Sequence, residues 1–488
     1  MFNVVQTIAL RGLEGRVVDV EVDISSGLSR FEIVGLPGKA IQESKQRVMA
    51  AINNSGFKFP HQRITINLTP ADLNKKGSGY DLPIAVGILL TSGQLPQLKK
   101  GIFWGALSLE GQTLAANGAV VIADAVRELG FKRLFLAEIN ASEAGIIAGI
   151  DLVPIKSLTA MRDPVALETV AQRNPKFSAH ANAKSGPGEV PDISEIKGQA
   201  QAKRALEIAA AGGHNLLMSG SPGSGKTMLA RSMAGILPEM SFSEQIEVTK
   251  IYSVSGKIDM EGSVVSQRPF RNPHHTSSHV ALIGGGSSPR PGEVSLAHKG
   301  VLFLDEFPEF SNYALESLRQ PLEDKAVNIS RAGVSVQYPA DFTLLAAMNP
   351  CRCGNLTDQD RECTCSPADI NRYQKRISGP ITDRIDMKIA VNRVNSTDLF
   401  GSGGGERSAM VSQRVGECRK VQLARAPGKS KTAISKSGER ILKQSFEVLK
   451  LSVRSYNKTL GVARTIADLD KSDEIKKVHV TEALSYRI

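Results

Sequence analysis

The chain contains no apolar run near the 18 or more residues a membrane helix needs. Its first residues, MFNVVQTIALRGLEGRVVDVEVD, lack a basic region followed by an apolar stretch and a cleavage site. Neither a membrane span nor a secretory leader is expected. Cysteine is scarce, five in 488 residues. That excludes a disulfide scaffold and points to a reducing, cytoplasmic protein. Aromatic residues make up 5%, with one Trp, Trp104, so composition gives no support to a stacking platform for single strands. What remains is ordinary globular material: 41% hydrophobic and 22% charged. At about 150 residues per domain, about three domains are expected.

Positive charge is unevenly placed. The whole chain carries +11, and Gly401–Ile488 alone holds 18 Lys and Arg against 9 Asp and Glu, a net +9. A basic C-terminal region on a nearly neutral body fits an acidic partner, most simply nucleic acid. Solvated helix faces would carry the same composition.

Local patterns divide the chain. Val17–Val22 and Ile64–Leu68 read as strands, and Lys39–Asn54 and Asp81–Leu90 as helices. Arg173–Glu189 (RNPKFSAHANAKSGPGE) reads as a linker. From Ile193 to about Asn392, strands alternate with helices, the pattern of a parallel sheet covered on both faces. The cluster Gly401–Gly405 then precedes a basic helical tail.

Gly220–Thr227 reads GSPGSGKT, between a strand candidate at Asn215–Ser219 and a helix over Met228–Ile236. The spelling Gly220-Ser221-Pro222-Gly223-Ser224-Gly225-Lys226-Thr227 is that of a phosphate-binding loop. Its glycines let consecutive N–H groups converge on phosphate oxygens at a helix N-terminus. Lys226 is expected to reach the β- and γ-phosphates of ATP, and Thr227 to ligate Mg²⁺. Gly300–Phe307 (GVLFLDEF) reads as a buried strand ending in two acids. Asp305 is expected to hold the Mg²⁺ hydration shell and Glu306 to polarise the attacking water. Phe342–Ala347 is a further apolar strand. Asn349, just past its end, is a candidate for orienting that water.

Four cysteines fall within 15 residues as Cys351-x-Cys353, nine residues, Cys363-x-Cys365. Four thiolates complete a tetrahedral Zn²⁺ shell, and no open ligand position remains for catalysis. A structural zinc site is expected, with reduced, unligated thiols as the alternative. His274, His275 and His279 also lie close in sequence. Adjacent histidines do not readily point at one ion, so a structural or pore role is expected for them.

The order of these parts resembles an AAA+ ATPase. RPFRNPHHTSSHVALIGGG (Arg268–Gly286), PRPGEVSLAHKGVLFLDEFPEF (Pro289–Phe310), LRQPLEDKAVNISRA (Leu318–Ala332), RYQKRISGPITDRIDM (Arg372–Met387) and LSVRSYNKTLGVARTIADL (Leu451–Leu469) resemble the magnesium-chelatase-like ATPases. Together with GLEGRVVDVEVDISSGL (Gly12–Leu28) and TPADLNKKGSGYDLPIAVGIL (Thr69–Leu89), they are most similar to the ComM/YifB family of competence-associated proteins. The resemblance implies an α/β architecture: an AAA+ core over 192–395 with the cysteine loop 351–365, and a basic helical lid over 396–488. A 171–191 linker and a 1–170 α+β domain like that of Lon protease and ribosomal protein S5 domain 2 would precede them. It also implies Arg384 as a finger toward the neighbouring subunit's nucleotide and Arg454 as a lid sensor contacting phosphate in cis. A homo-oligomeric ring, a hexamer, is implied too, with a pore lined by the Ile251–Lys299 region and its Lys257, Arg268, Arg271, Arg290 and Lys299.

A Lon-type protease needs a Ser–Lys pair. Tyr80 stands where the Ser would align, Ser78 is out of register, and Gly111–Gly130 holds no Lys. The front domain is therefore expected to be non-proteolytic. The resemblance implies a motor on single-stranded and branched DNA that promotes branch migration during natural transformation, alongside recombination proteins. A protein-remodelling ATPase is the alternative, and a magnesium-chelatase motor subunit a weaker one.

Overall fold

The structure, a computed structural model, describes every residue except 74, 76, 174–189, 259–263, 287–288, 332–333, 359–360, 396–404, 426–432 and 488. Most of the expected linker and the start of the glycine cluster lie outside the described residues. The chain forms two compact units.

The first unit comprises Met1–Lys184 and Phe242–Ser266. Its eight-stranded mixed sheet runs in the order Gln172–Arg173, Asp151–Ile155, Arg133–Ala137, Ile102–Trp104, Phe2–Arg11, Glu14–Ser25, Arg63–Thr69, Arg30–Val34. Strand alternation supplies the core. Val18, Val20, Val22 and Ile24 point inward against Ile64, Ile66 and Leu68 and the helices Lys39–Asn54 and Asp81–Thr91. The opposite face carries Ile8, Ile102, Trp104, Leu134 and Leu136 under the helix Ala119–Glu128.

That second face recruits a segment from far along the chain. Within Phe242–Ser266, Ile246 and Val264 pack into the same apolar cluster. Lys250 pairs with Asp124, and the Ser253 hydroxyl donates to the buried Glu143 carboxylate. Burial raises the Glu143 pKa, against the hydrogen bonds from Ser253 and Asn140. Sequence position had placed these residues inside the 192–395 core. Their apolar face is instead buried in the first unit, so that core is interrupted between Ser241 and Gln267.

The second unit, Ser185–Ser241 with Gln267–Ile488, is the expected α/β layer. Its five strands are all parallel, in the order Phe270–Arg271, Val301–Leu304, Thr343–Met348, Leu216–Ser219, Met387–Ala390. The strands Val301–Leu304 and Thr343–Met348 are wholly buried, as a sheet covered on both faces requires. Parallel packing brings the C-terminal strand ends to one edge, where such sheets bind ligands. The C-terminal helices pack against this layer. Val411, Val415, Leu442, Val462, Ile466 and Val480 share one core with the helices Ala200–Gly212 and Lys226–Ile236. Among the described residues no helix is long and apolar enough to cross a membrane.

Candidate nucleotide site and metal cluster

The phosphate-binding loop leaves the strand Leu216–Ser219 and enters the helix Lys226–Ile236. Gly220 N–H donates to the Met348 carbonyl at 3.2 Å, tying the loop to the neighbouring strand end. Gly223 and Gly225 have φ of +77° and +90°, and a Cβ on either would meet nothing within 4 Å. The loop therefore curls around open space, with backbone angles that favour glycine. This is the cradle a phosphate chain requires.

Lys226 folds into that cradle. Its Nζ donates to the carbonyls of Gly220 at 2.7 Å and Ser221 at 2.9 Å, with Ser224 Oγ and Asn349 Oδ1 each at 3.4 Å. Burial lowers its pKa, against the charge of Asp305. Thr227 Oγ1 donates to Asp305 Oδ2 at 2.9 Å, so the two expected Mg²⁺-binding groups already touch. Asp305 Oδ1 accepts the Glu306 N–H at 2.9 Å. Loop, acids and Asn349 thus converge at one sheet edge, as their strands dictate.

The partner of Glu306 is not foreshadowed by any motif. Glu306 sits at φ +51°, just past the acidic strand, and its Oε2 lies 2.9 Å from His275 Nδ1. His275 follows the edge strand Phe270–Arg271, hydrogen-bonded to the acidic strand. His274 packs on His275 with ring centroids 4.1 Å apart and rings tilted by 33°, and bonds Thr276, while His279 meets Tyr313 edge-on. Among the described residues the three histidines form no metal cluster.

The two candidate arginines come together elsewhere. Arg384 Nη2 lies 2.8 Å from Glu323 Oε2, and Arg454 pairs with the other oxygen of the same carboxylate. Arg384 precedes the strand Met387–Ala390, whose residue Met387 pairs with Leu216 and Ala390 with Ser219. Both arginines therefore lie at the end of the sheet opposite this chain's own phosphate loop. Arg454 is held by Glu323, beside Arg384.

The pore expectation also narrows. Arg271 is paired with Glu293, Lys299 with Asp341, and Arg268 donates to the carbonyls of Pro238 and Lys299. Lys257 belongs to the first unit. Arg290 is exposed. In the first unit, Tyr80 is buried, and Lys75 donates to the carbonyls of Gly35, Leu68 and Pro70.

The four cysteines meet. Their Sγ atoms lie within 4.8 Å of one another, with Cys351–Cys353 at 3.4 Å and Cys363 at 3.6 Å from both. A tetrahedral zinc–thiolate site with bonds of about 2.3 Å has sulfur–sulfur edges of about 3.8 Å, whereas a disulfide needs about 2.05 Å. The spacing fits a shared metal and no disulfide. Main-chain N–H groups of Asn355 and Thr364 pull the Cys353 thiol down to about 5. The Cys365 N–H lowers Cys363, but burial and its neighbouring thiols push it up further, to about 12.

Comparison with known proteins identifies the family. Residues 192–399 match the family model described as magnesium chelatase, subunit ChlI. Residues 20–140 match that of subunit ChlI of Mg-chelatase, and 405–487 that of the ChlI C-terminal region. The chain is 42% identical to Competence protein ComM of Haemophilus influenzae, over 99% of its own length and 97% of the relative. Identity to the uncharacterized protein YifB of Escherichia coli is 40%, with the same coverage. The 67 kDa magnesium-chelatase subunit of Chlorobaculum parvum is 32% identical over only 32% of this chain and 23% of that protein. With its P-loop, its acidic strand and a full-length match of this kind, the chain belongs to the ComM/YifB family of magnesium-chelatase-like AAA+ proteins.

Proposed function

We propose that this protein is an ATPase that works as a ring, a hexamer, and moves on single-stranded and branched DNA. Its task would be to extend joint molecules by branch migration during natural transformation, alongside recombination proteins. The observation that carries this reading is the full-length likeness to a competence protein, joined to a phosphate cradle with acids beside it.

In this reading Gly220–Thr227 holds the ATP phosphates. Mg²⁺, held by Thr227 and Asp305, neutralises phosphate charge when bound. Glu306 orients and deprotonates water, Asn349 helps to place it, and Arg384 of one subunit serves the site of the next. Making Arg384 a trans group is supported by its position away from its own P-loop, and it makes turnover depend on assembly. Arg454 sits beside Arg384 and is assigned the same neighbouring site, not its own.

DNA as the track is supported by the basic C-terminal helices. Arg414, Arg425, Arg464 and Lys458 are paired with Glu207, Asp468 and Asp386. Lys436, Arg440 and Lys450 are exposed and are assigned to phosphate contact.

The test is DNA-stimulated ATP hydrolysis across a salt series. A steep fall of stimulation with salt, as counterion release requires, supports the reading. Hydrolysis indifferent to every form of DNA would favour a protein client.

A further inference from the structure

The cysteine cluster is built onto the nucleotide pocket. The strand Thr343–Met348 ends one residue before Asn349, and Cys351 follows two residues later. Met348 grips Gly220 of the phosphate loop, and Asn349 faces Lys226. Gly354, one residue past the first thiol pair, is buried at φ +83°. A Cβ there would lie 2.5 Å from Pro222 Cδ and 2.7 Å from its Cγ. The turn made by Cys351 and Cys353 therefore rests directly on the third residue of GSPGSGKT. On the far side, Ser366 follows Cys365 and caps the helix Pro367–Gln374. Gln374 Nε2 then donates back to the Pro350 carbonyl at 3.1 Å.

Apart from the thiols, an ion pair between Asp358 Oδ2 and Arg393 Nε at 3.0 Å ties this loop down. Among its described residues between Cys351 and Ser366, only Cys351 and Gly354 are buried. A segment without a core of its own takes its order from the metal it binds.

We propose that Cys351, Cys353, Cys363 and Cys365 bind one Zn²⁺, and that this ion keeps Pro222 and Asn349 in their nucleotide-binding positions. The proposal rests on the reading of Gly220–Thr227 as the ATP site. Without the ion, the four sulfurs lose the bonds that tie the loop together, the turn at Gly354 lifts from Pro222, and Asn349 loses its anchor. If about one tenth of zinc-free molecules keep the competent pocket, apparent nucleotide affinity falls about tenfold.

The experiment measures zinc by elemental analysis on full-length protein purified under reducing conditions. A fluorescent ATP analogue is then titrated before chelation, after it, and after zinc is restored. One zinc per chain, weakened binding without it and recovery on re-addition are expected, with far-UV circular dichroism unchanged. Cys418→Ser, outside the cluster, retains zinc and affinity. Gly354→Ala decides the matter if zinc removal unfolds the chain: it retains zinc but binds nucleotide less well, because the added methyl strikes Pro222. Protein that neither carries nor takes up zinc overturns the proposal, as does unchanged affinity in Gly354→Ala. A zinc-loaded chain that bound no nucleotide would remove the P-loop reading and the coupling with it. Equal affinity with and without zinc in folded protein would remove the coupling alone.

Discussion

The imidazole of His275 holds the carboxylate of Glu306, Nδ1 to Oε2 at 2.9 Å. An N–H donor on one oxygen makes the carboxylate a weaker base toward water. His275→Ala is therefore expected to raise ATP hydrolysis in the absence of DNA. A hydrogen bond to a charged group contributes about 1.5–3 kcal/mol, so a rise of roughly ten- to a hundredfold is expected. The ratio of DNA-stimulated to basal turnover should fall. A steady-state assay with and without DNA checks this, and a loss of basal activity would instead make His275 a helper of Glu306.

Glu323 binds both Arg384 and Arg454 at the sheet end away from the phosphate loop. If Arg384 serves a neighbour, that pair must open on assembly. Arg384→Ala should bind nucleotide normally yet lose turnover by about 10³-fold, the scale of an arginine finger. Mixing it with Lys226→Ala subunits should restore partial activity, since the second variant supplies the missing arginine to the first. No recovery on mixing would place the finger in cis.

Lys436 and Arg440 are exposed four residues apart, on one face of the helix Lys436–Val448. Converting both to Gln should weaken DNA binding without touching the core. The slope of log affinity against log salt should become shallower by roughly one unit per lost phosphate contact. Fluorescence anisotropy on one DNA across salt concentrations reads this directly.

The first unit needs its late segment. A fragment ending at residue 184 lacks the Ile246 and Val264 contacts and leaves Asp124 and Glu143 without Lys250 and Ser253. It should melt roughly 10 °C below the same fragment carrying Phe242–Ser266 on a short tether. Differential scanning calorimetry of the two compares them.

Much of the second unit was legible because its chemistry is local. GSPGSGKT needs eight consecutive residues to spell a phosphate cradle, and GVLFLDEF reads as a buried strand carrying its acids at the tip. The helix Lys39–Asn54 was legible to its ends, since its apolar spacing repeats cleanly. The four thiols were legible by spacing alone. What escaped depends on tertiary packing. Nothing in Phe242–Ser266 says which core will bury Ile246 and Val264. The edge strand Phe270–Arg271 is two residues long, too short to show a period, and it positions His275. Charge counting could not tell that Arg271 and Lys299 are bound to Glu293 and Asp341, nor that one glutamate gathers Arg384 and Arg454.

In the proposed function, hydrolysis at this P-loop drives movement on DNA. Its most direct test is branch migration of a labelled junction by the purified protein with ATP and Mg²⁺, beside Glu306→Gln as control. ATP-dependent migration is expected from the wild-type chain and none from the variant, which still binds ATP. Active hydrolysis with no effect on the junction would contradict it.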